Sequence, residues 1–218
     1  MHLKFSVLRQ TACDALVTAG NCCERKTLRK FVKKGEIIVA DRYYGLEYGF
    51  SSELKQMGAS HVIRIRNNPR MEMVEELAVS ETDKAAGVHW QAKVELGDQW
   101  QGEPIRVVCV EVDGKQLLLA TDLEIEAELI ALIYRYHWQV EQFFKWLKSI
   151  LGCRHLLAES PKGVAIQIYS ALIAALMLQA FTGKRPGKRA MELIRMYLMG
   201  YADLEETIAL LGIEKTAK

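Results

Sequence analysis

Asp41 closes the run Ile37-Ile38-Val39-Ala40. A continuous apolar run of that length marks a strand covered on both faces. A carboxylate at its tip is held by the scaffold while its oxygens reach solvent, which suits a hard cation. A strand-terminal Asp also commonly makes a turn, and the residues alone leave the two readings even. Glu141 lies in a second stretch, YRYHWQVEQFFKWLK, from Tyr134 to Lys148. At about 100° per residue, Tyr134, His137, Glu141, Lys145 and Lys148 fall on one helical stripe. A phenol, an imidazole, a carboxylate and two cations then point the same way. A solvated face is the usual reading of such a stripe, but Trp138 and Phe144 flank this one.

The elements that would position these groups follow from periodicity. Leu129, Leu132, Tyr136, Val140, Phe143, Leu147 and Ile150 form a seam spaced by three and four, so the stretch reads as one continuous helix buried on that side. Upstream, Leu3–Leu8 alternates as a strand and residues 15–18 suggest another. Asn21 with Glu24 reads as a capping box opening a helix that Gly35 would close. Its Arg25, Lys26, Arg29, Lys30, Lys33 and Lys34 make one face basic, a soluble surface or a phosphate-contacting one. Gly45–Gly58 reads as a helix with Leu46, Phe50, Leu54 and Met57 inward, and His61–Arg66 as a strand ended by Asn67-Asn68-Pro69.

Residues 71–116 change character. Trp90–Leu96 and Ile105–Val112 read as strands, and Val112-Asp113-Gly114-Lys115 is a hairpin signal leading into Lys115–Ala120. Beyond Leu157, Ser160–Gly163 breaks the chain. Val164–Phe181 is near the lower length limit for crossing a membrane and is interrupted by Gln167, Tyr169, Ser170 and Gln179, which favours a buried core helix. Short amphipathic helices are expected at 190–199 and 204–211. Lys184, Arg185, Lys188 and Arg189 read as a solvated basic turn or as phosphate contacts.

The formal net charge of the 218 residues is only +2. Its distribution says more: residues 1–70 carry +7, residues 71–131 carry −10 and residues 132–218 carry +5. An acidic middle between two basic ends is expected if the ends fold together around an insertion, and it is a legitimate hint of nucleic-acid contact. The five cysteines are odd in number, and no CxxC or Cys/His metal spacing appears. Reduced thiols in a cytoplasm are the economical reading. The N-terminal apolar run is too short for a secretion signal.

Tyr134, His137, Glu141 and Lys148 have the spacing of Tyr, two residues, Arg, three residues, Glu, six residues, Lys, with His137 in the Arg position. The pattern resembles the YREK signature of DDE transposases of the insertion-sequence-four family, and the flanking text from Leu118 to Leu157 is similar almost throughout. The Asp41-Arg42-Tyr43-Tyr44 segment resembles that family's second catalytic Asp, with Tyr43 where many members have Gly. The resemblance implies an α/β, ribonuclease H-like fold, incomplete at its N-terminus, with a β-rich insertion and C-terminal helices. Residues 1–70 and 117–183 would form the catalytic region, 71–116 the acidic insertion and 184–218 a helical tail.

By the same resemblance, Asp41 and Glu141 would be catalytic ligands of two Mg²⁺ or Mn²⁺ ions, hard cations that want oxygen donors. Tyr134, His137 and Lys148 would contact double-stranded DNA at transposon ends, and the chemistry would be cleavage there and strand transfer into target DNA. Neutral His lacks the charge and fork of Arg, so that grip should weaken above about pH 6.5. The family's first Asp lies on a strand upstream of anything matching Met1, so the chain is expected to be inactive alone. A homo-oligomer is admitted and a membrane is not; the location expected is the cytoplasm, with the nucleoid when bound to DNA. The competing readings are a non-catalytic DNA-binding or transposase-interacting remnant, an unrelated two-metal nuclease and, last, a membrane protein.

Overall fold

A computed structural model of the chain describes residues 1–18, 22–97, 103–150, 158–183 and 187–210, without the side chains of residues 148–150 and 210. The expected cap at Asn21 and the cations Lys184 and Arg185 lie outside the described residues, as does the side chain of Lys148. The chain is mixed α/β and divides into two compact units, Cys22–Gln139 and Met1–Asn21 with Val140–Lys218.

The Cys22–Gln139 unit is built on a six-stranded mixed sheet. Its elements in order are α1 (Glu24–Phe31), β3 (Ile37–Ala40), a 3₁₀ turn (Tyr44–Leu46), α2 (Gly49–Gln56), β4 (Ser60–Arg64), β5 (Met71–Leu77), α3 (Glu81–Ala85), β6 (Val88–Leu96), β7 (Ile105–Val112), β8 (Lys115–Thr121) and α4 (Ala127–Tyr136). The strand order is β3-β4-β8-β7-β6-β5. Only β3 and β4 run parallel, Ala40 opposite Ile63; every other pair is antiparallel. The strands of the acidic segment therefore continue the sheet that carries Asp41, through β8 on β4.

Two apolar layers hold this sheet. On one side α4 lays Ala127, Ile130, Ala131 and Tyr134 against Val62, Val108, Val110, Leu117 and Leu119. Ile130 is fully buried, and burial of a side chain that size is worth roughly 1.5–3 kcal/mol. Ile38, Ala40 and Ile63 meet Phe50 and Leu54 of α2. The β7–β8 hairpin turns at Asp113 (φ 51°) and Gly114 (φ 70°), two left-handed residues that match the twist of the strands.

Three expectations need correction here. The apolar seam is out of phase in α4: Leu129, Leu132 and Tyr136 are exposed, whereas Tyr134 is buried. The sheet beneath α4 selects the Ala127-Ile130-Ala131-Tyr134 face, whose small residues allow close approach. The helix is also not continuous, since α4 ends at Tyr136 and α5 begins at Trp138; His137 keeps helical dihedrals while its N–H bonds Tyr134 O, three residues back. The basic helix stops at Phe31 rather than running to Gly35, and Cys23 occupies its N-cap. Its cations divide: Arg25 pairs with Glu47 and Arg29 with Glu53, while Lys26 and Lys30 stay exposed.

The other unit contains the antiparallel hairpin β1 (His2–Ser6) and β2 (Thr11–Leu16), then α5 (Trp138–Ile150), α6 (Pro161–Thr182), α7 (Lys188–Leu198) and α8 (Leu204–Leu210). The first two residues of α5 belong to the Cys22–Gln139 unit. Phe143, Leu147 and Leu172 are buried against Leu3, Phe5, Ala12 and Ala15 of the hairpin and against Trp146, Ile168 and Tyr169. Here α5 keeps the expected phase. The buried helix expected at Val164–Phe181 forms as α6, but it is not a core helix. Only Leu172 and Ala175 are buried, and Ile166, Ile173, Met177 and Phe181 are each more than half exposed. Within this unit the hairpin and α5 cover one face, and no described element of the unit covers the other. Among the described residues α6 alone is long and apolar enough, by length and composition, to cross a membrane.

Candidate active site

Asp41 follows directly on β3, which runs parallel to β4, so it stands at the C-terminal end of both strands and is solvent-exposed. The residue makes a turn as well as an exposed carboxylate. Its Oδ1 accepts the Tyr43 N–H at 2.9 Å, and its carbonyl accepts the Tyr44 N–H at 3.2 Å. The turn reading is realised, and the carboxylate also stays exposed to solvent.

The turn is locked from below. Tyr43 packs edge-on against Tyr44 and under the Arg25 guanidinium, 5.0 Å from the ring centre. Burial pushes the Tyr44 phenol well above its usual pKa, with Glu24 and Asp41 adding to the effect. Gly45 then passes over β4 so closely that a Cβ there would lie 2.2 Å from the Arg64 carbonyl oxygen. The DRYYG segment is therefore fitted to β4, and Gly45, four residues after Asp41, is the residue that permits it.

Glu141 is exposed in the first turn of α5, where the positive end of the helix favours a carboxylate. Lys145, one turn on, is exposed as well. Tyr134 and His137 are brought together, their rings stacked with centroids 5.6 Å apart. Tyr134 does not share an outward stripe with the others; it is 8 % exposed and part of the α4 core. Asp41, Tyr134 and His137 belong to the Cys22–Gln139 unit, and Glu141 and Lys148 to the other. Among the described residues no group of three His, Cys, Asp or Glu side chains could hold a metal ion.

Two residues that the sequence reading passed over hold the opposite end of the sheet. His61 is almost fully buried, its N–H donates to Asp122 Oδ1 at 2.7 Å and its Nδ1 lies 3.1 Å from the same oxygen. Burial acts to raise the Asp122 pKa, but these contacts outweigh it and leave the carboxyl below its usual value. A histidine one residue into an apolar strand was the available signal.

The residues just described coincide with a known domain. The family model described as a transposase DDE domain matches residues 1–177. The chain belongs to the DDE transposase family. A protein of Sinorhizobium fredii named as transposase y4zB is 29% identical over 155 residues, 68% of this chain and 43% of that protein. A protein of Synechocystis named as a transposase for insertion sequence element IS4SA is 31% identical over 156 residues, 67% of this chain and 41% of its own length. One of Geobacillus stearothermophilus named for element IS5377 is 24% identical over 186 residues, 82% of this chain and 48% of its own. This DDE-family chain spans less than half the length of these curated relatives.

Proposed function

We propose that the chain carries a catalytic region of a DDE transposase on a ribonuclease H-like fold, with metal-dependent phosphodiester cleavage and strand transfer at transposon ends as its chemistry. The family match over residues 1–177 carries this reading, because it spans both Asp41 and Glu141. The element order supports it: a hairpin, a strand with an Asp at its end, a second strand parallel to it, and a later helix with an exposed Glu. Residues 1–70 and 117–183 would make up the core, 71–116 the insertion and 184–218 the tail.

Asp41 and Glu141 would ligate Mg²⁺ or Mn²⁺. Their chemistry fits, since both are exposed oxygen donors of the hard type such ions prefer. When bound, paired ions of this kind clamp the attacking and leaving oxygens of an in-line phosphoryl transfer. The chain's own residues bind and orient DNA. His137 and Lys148 contact backbone phosphates, and Tyr134, stacked on His137 from inside the α4 core, holds that imidazole in place. The chain would act in the cytoplasm and on double-stranded DNA.

Mn²⁺ binding followed by isothermal titration tests the ligand pair. Binding should be lost in Asp41→Ala and in Glu141→Ala; unchanged binding in the double variant would end the metal assignment. Nicking of a transposon-end duplex by the purified chain with Mn²⁺, lost in both alanine variants, would support the catalytic reading. The exposed cations Lys26 and Lys30 of α1 favour a second reading, a non-catalytic DNA-binding or transposase-interacting remnant. Salt-dependent DNA binding that survives both alanine substitutions, with no Mn²⁺ binding by the parent chain, selects it.

A further inference from the structure

β5 is the outermost strand of the sheet at the side away from β3, and it pairs with β6 alone. Among the described residues no strand of the Cys22–Gln139 unit meets its other side. The main-chain donors and acceptors along that side are a template for a further strand. Met71 is exposed, and Met73 and Val74 are each more than half exposed, so apolar side chains stand along this edge in contact with water.

Register sorts the side chains of β5 onto two faces. Met71 and Met73 stand opposite Leu96 and Val94, on the face away from α4. Glu72 and Glu75 stand opposite Glu95 and Lys93, on the α4 face. Lys93 is held by Glu75 at 2.8 Å. Glu72, by contrast, has a second carboxylate directly across from it, and like charges in that position destabilise a strand pair. A cation placed beside Glu72 would relieve the repulsion.

We propose that the outer edge of β5 docks an extended polypeptide segment in which basic and apolar residues alternate. Successive side chains of a strand point to opposite faces. A segment laid along β5 would therefore set its apolar residues beside Met71 and Met73 and its cations beside Glu72 and Glu75. Its backbone would bond the open side of β5, as in other cases of strand addition. Charge decides the occupant. β5 carries three carboxylates and no cation, so pairing with the same strand of a second copy would set like charges side by side, and phosphate backbones would be repelled in the same way. The docking needs neither the metal ligands nor DNA, so it stands or falls apart from the transposase reading.

Fluorescence anisotropy with labelled peptides as long as β5 (seven residues) tests it on the 218-residue chain, with amide hydrogen exchange of β5 as a second readout. One peptide alternates Lys and Val, a second is the same peptide N-methylated throughout, and a third alternates Glu and Val. The first should bind and slow exchange along β5 at least about tenfold while leaving β4 unchanged. The N-methylated peptide keeps the charges but has no backbone N–H to donate, and it should not bind; nor should the acidic one. The double variant Glu72→Gln with Glu75→Gln should weaken binding about fivefold, as loss of two cross-strand charge pairs does. No binding of the Lys–Val peptide, equal binding of its N-methylated form, unchanged exchange at β5 or affinity unmoved in the double variant would overturn the proposal. Protection of β5 that rises with chain concentration in the absence of peptide would assign the edge to a second copy, and protection by blunt duplex would assign it to DNA; either result overturns it as well.

Discussion

Gly45→Ala should be the most damaging single methyl in the Cys22–Gln139 unit. The added Cβ would lie 2.2 Å from Arg64 O, 3.0 Å from Arg64 C and 3.1 Å from Ile65 Cα. All three are backbone atoms of β4 or the residue after it, so no rotamer change relieves the clash. Restoring ordinary contact requires a displacement of about 1 Å in either the DRYYG turn or β4. Yet β4 is bonded on both sides, to β3 and to β8, and the turn is pinned by Tyr44 against Phe50. Overpacking of this kind costs about 1–3 kcal/mol, and the rigid neighbours place this case near 3. Amide hydrogen exchange of β4 (Ser60–Arg64) reports the affected unit by itself. At about 1.4 kcal/mol per tenfold, its most protected amides should exchange about a hundredfold faster. Gly49→Ala is the control: nothing lies within 4 Å of its Cβ, and at the start of α2 it should stabilise by up to about 1 kcal/mol. Protection in Gly45→Ala no lower than about half that of the parent would refute the close-approach argument.

Other outcomes follow from the same packing. Tyr134→Ala should destabilise the α4 layer by about 3 kcal/mol, as loss of a buried aromatic does; urea unfolding of the variant against the parent checks this. Acid should loosen the Cys22–Gln139 unit. At Asp83 burial acts upward, but bonds from the Ser80 hydroxyl and N–H and the Glu128 N–H leave the pKa lowered, and Asp122 is lowered likewise. The folded state then binds fewer protons than the unfolded state, so this stability is present above the ordinary Asp range and is lost as pH falls through the depressed values. Asp83→Asn with Asp122→Asn should flatten the acid limb of a stability–pH curve. Thiol alkylation read by mass spectrometry should find Cys23 fast and Cys109 protected. The Lys26 N–H at the start of α1 lowers the Cys23 pKa, whereas burial raises that of Cys109.

The strands of the acidic segment were legible because their own residues decide them. Ile105–Val112 and Lys115–Thr121 are β-branched or apolar runs joined by Asp113-Gly114, and the structure has them within a residue of expectation. β5 was not, since six of its seven residues are exposed: an edge strand has no buried face to write a pattern into the sequence. The short helix α3 did leave a mark, the Ser80–Asp83 capping box, which the reading overlooked.

Residue types alone established which groups were available to a metal or a phosphate, where most of the strands and helices fall, and that Asp41 ends a strand. Those are local properties, set by side-chain chemistry and by periods of two and 3.6 residues. Tertiary structure decided which face each helix hides. Tyr134 and Tyr136 offer similar hydrophobicity, and only the shape of the sheet under Ala127, Ile130 and Ala131 made Tyr134 the buried one. It likewise left most of α6 uncovered and drew Arg25 and Arg29 onto Glu47 and Glu53. Packing partners come from distant parts of the chain, and a periodicity can say that a helix has an apolar side without saying what will lie against it.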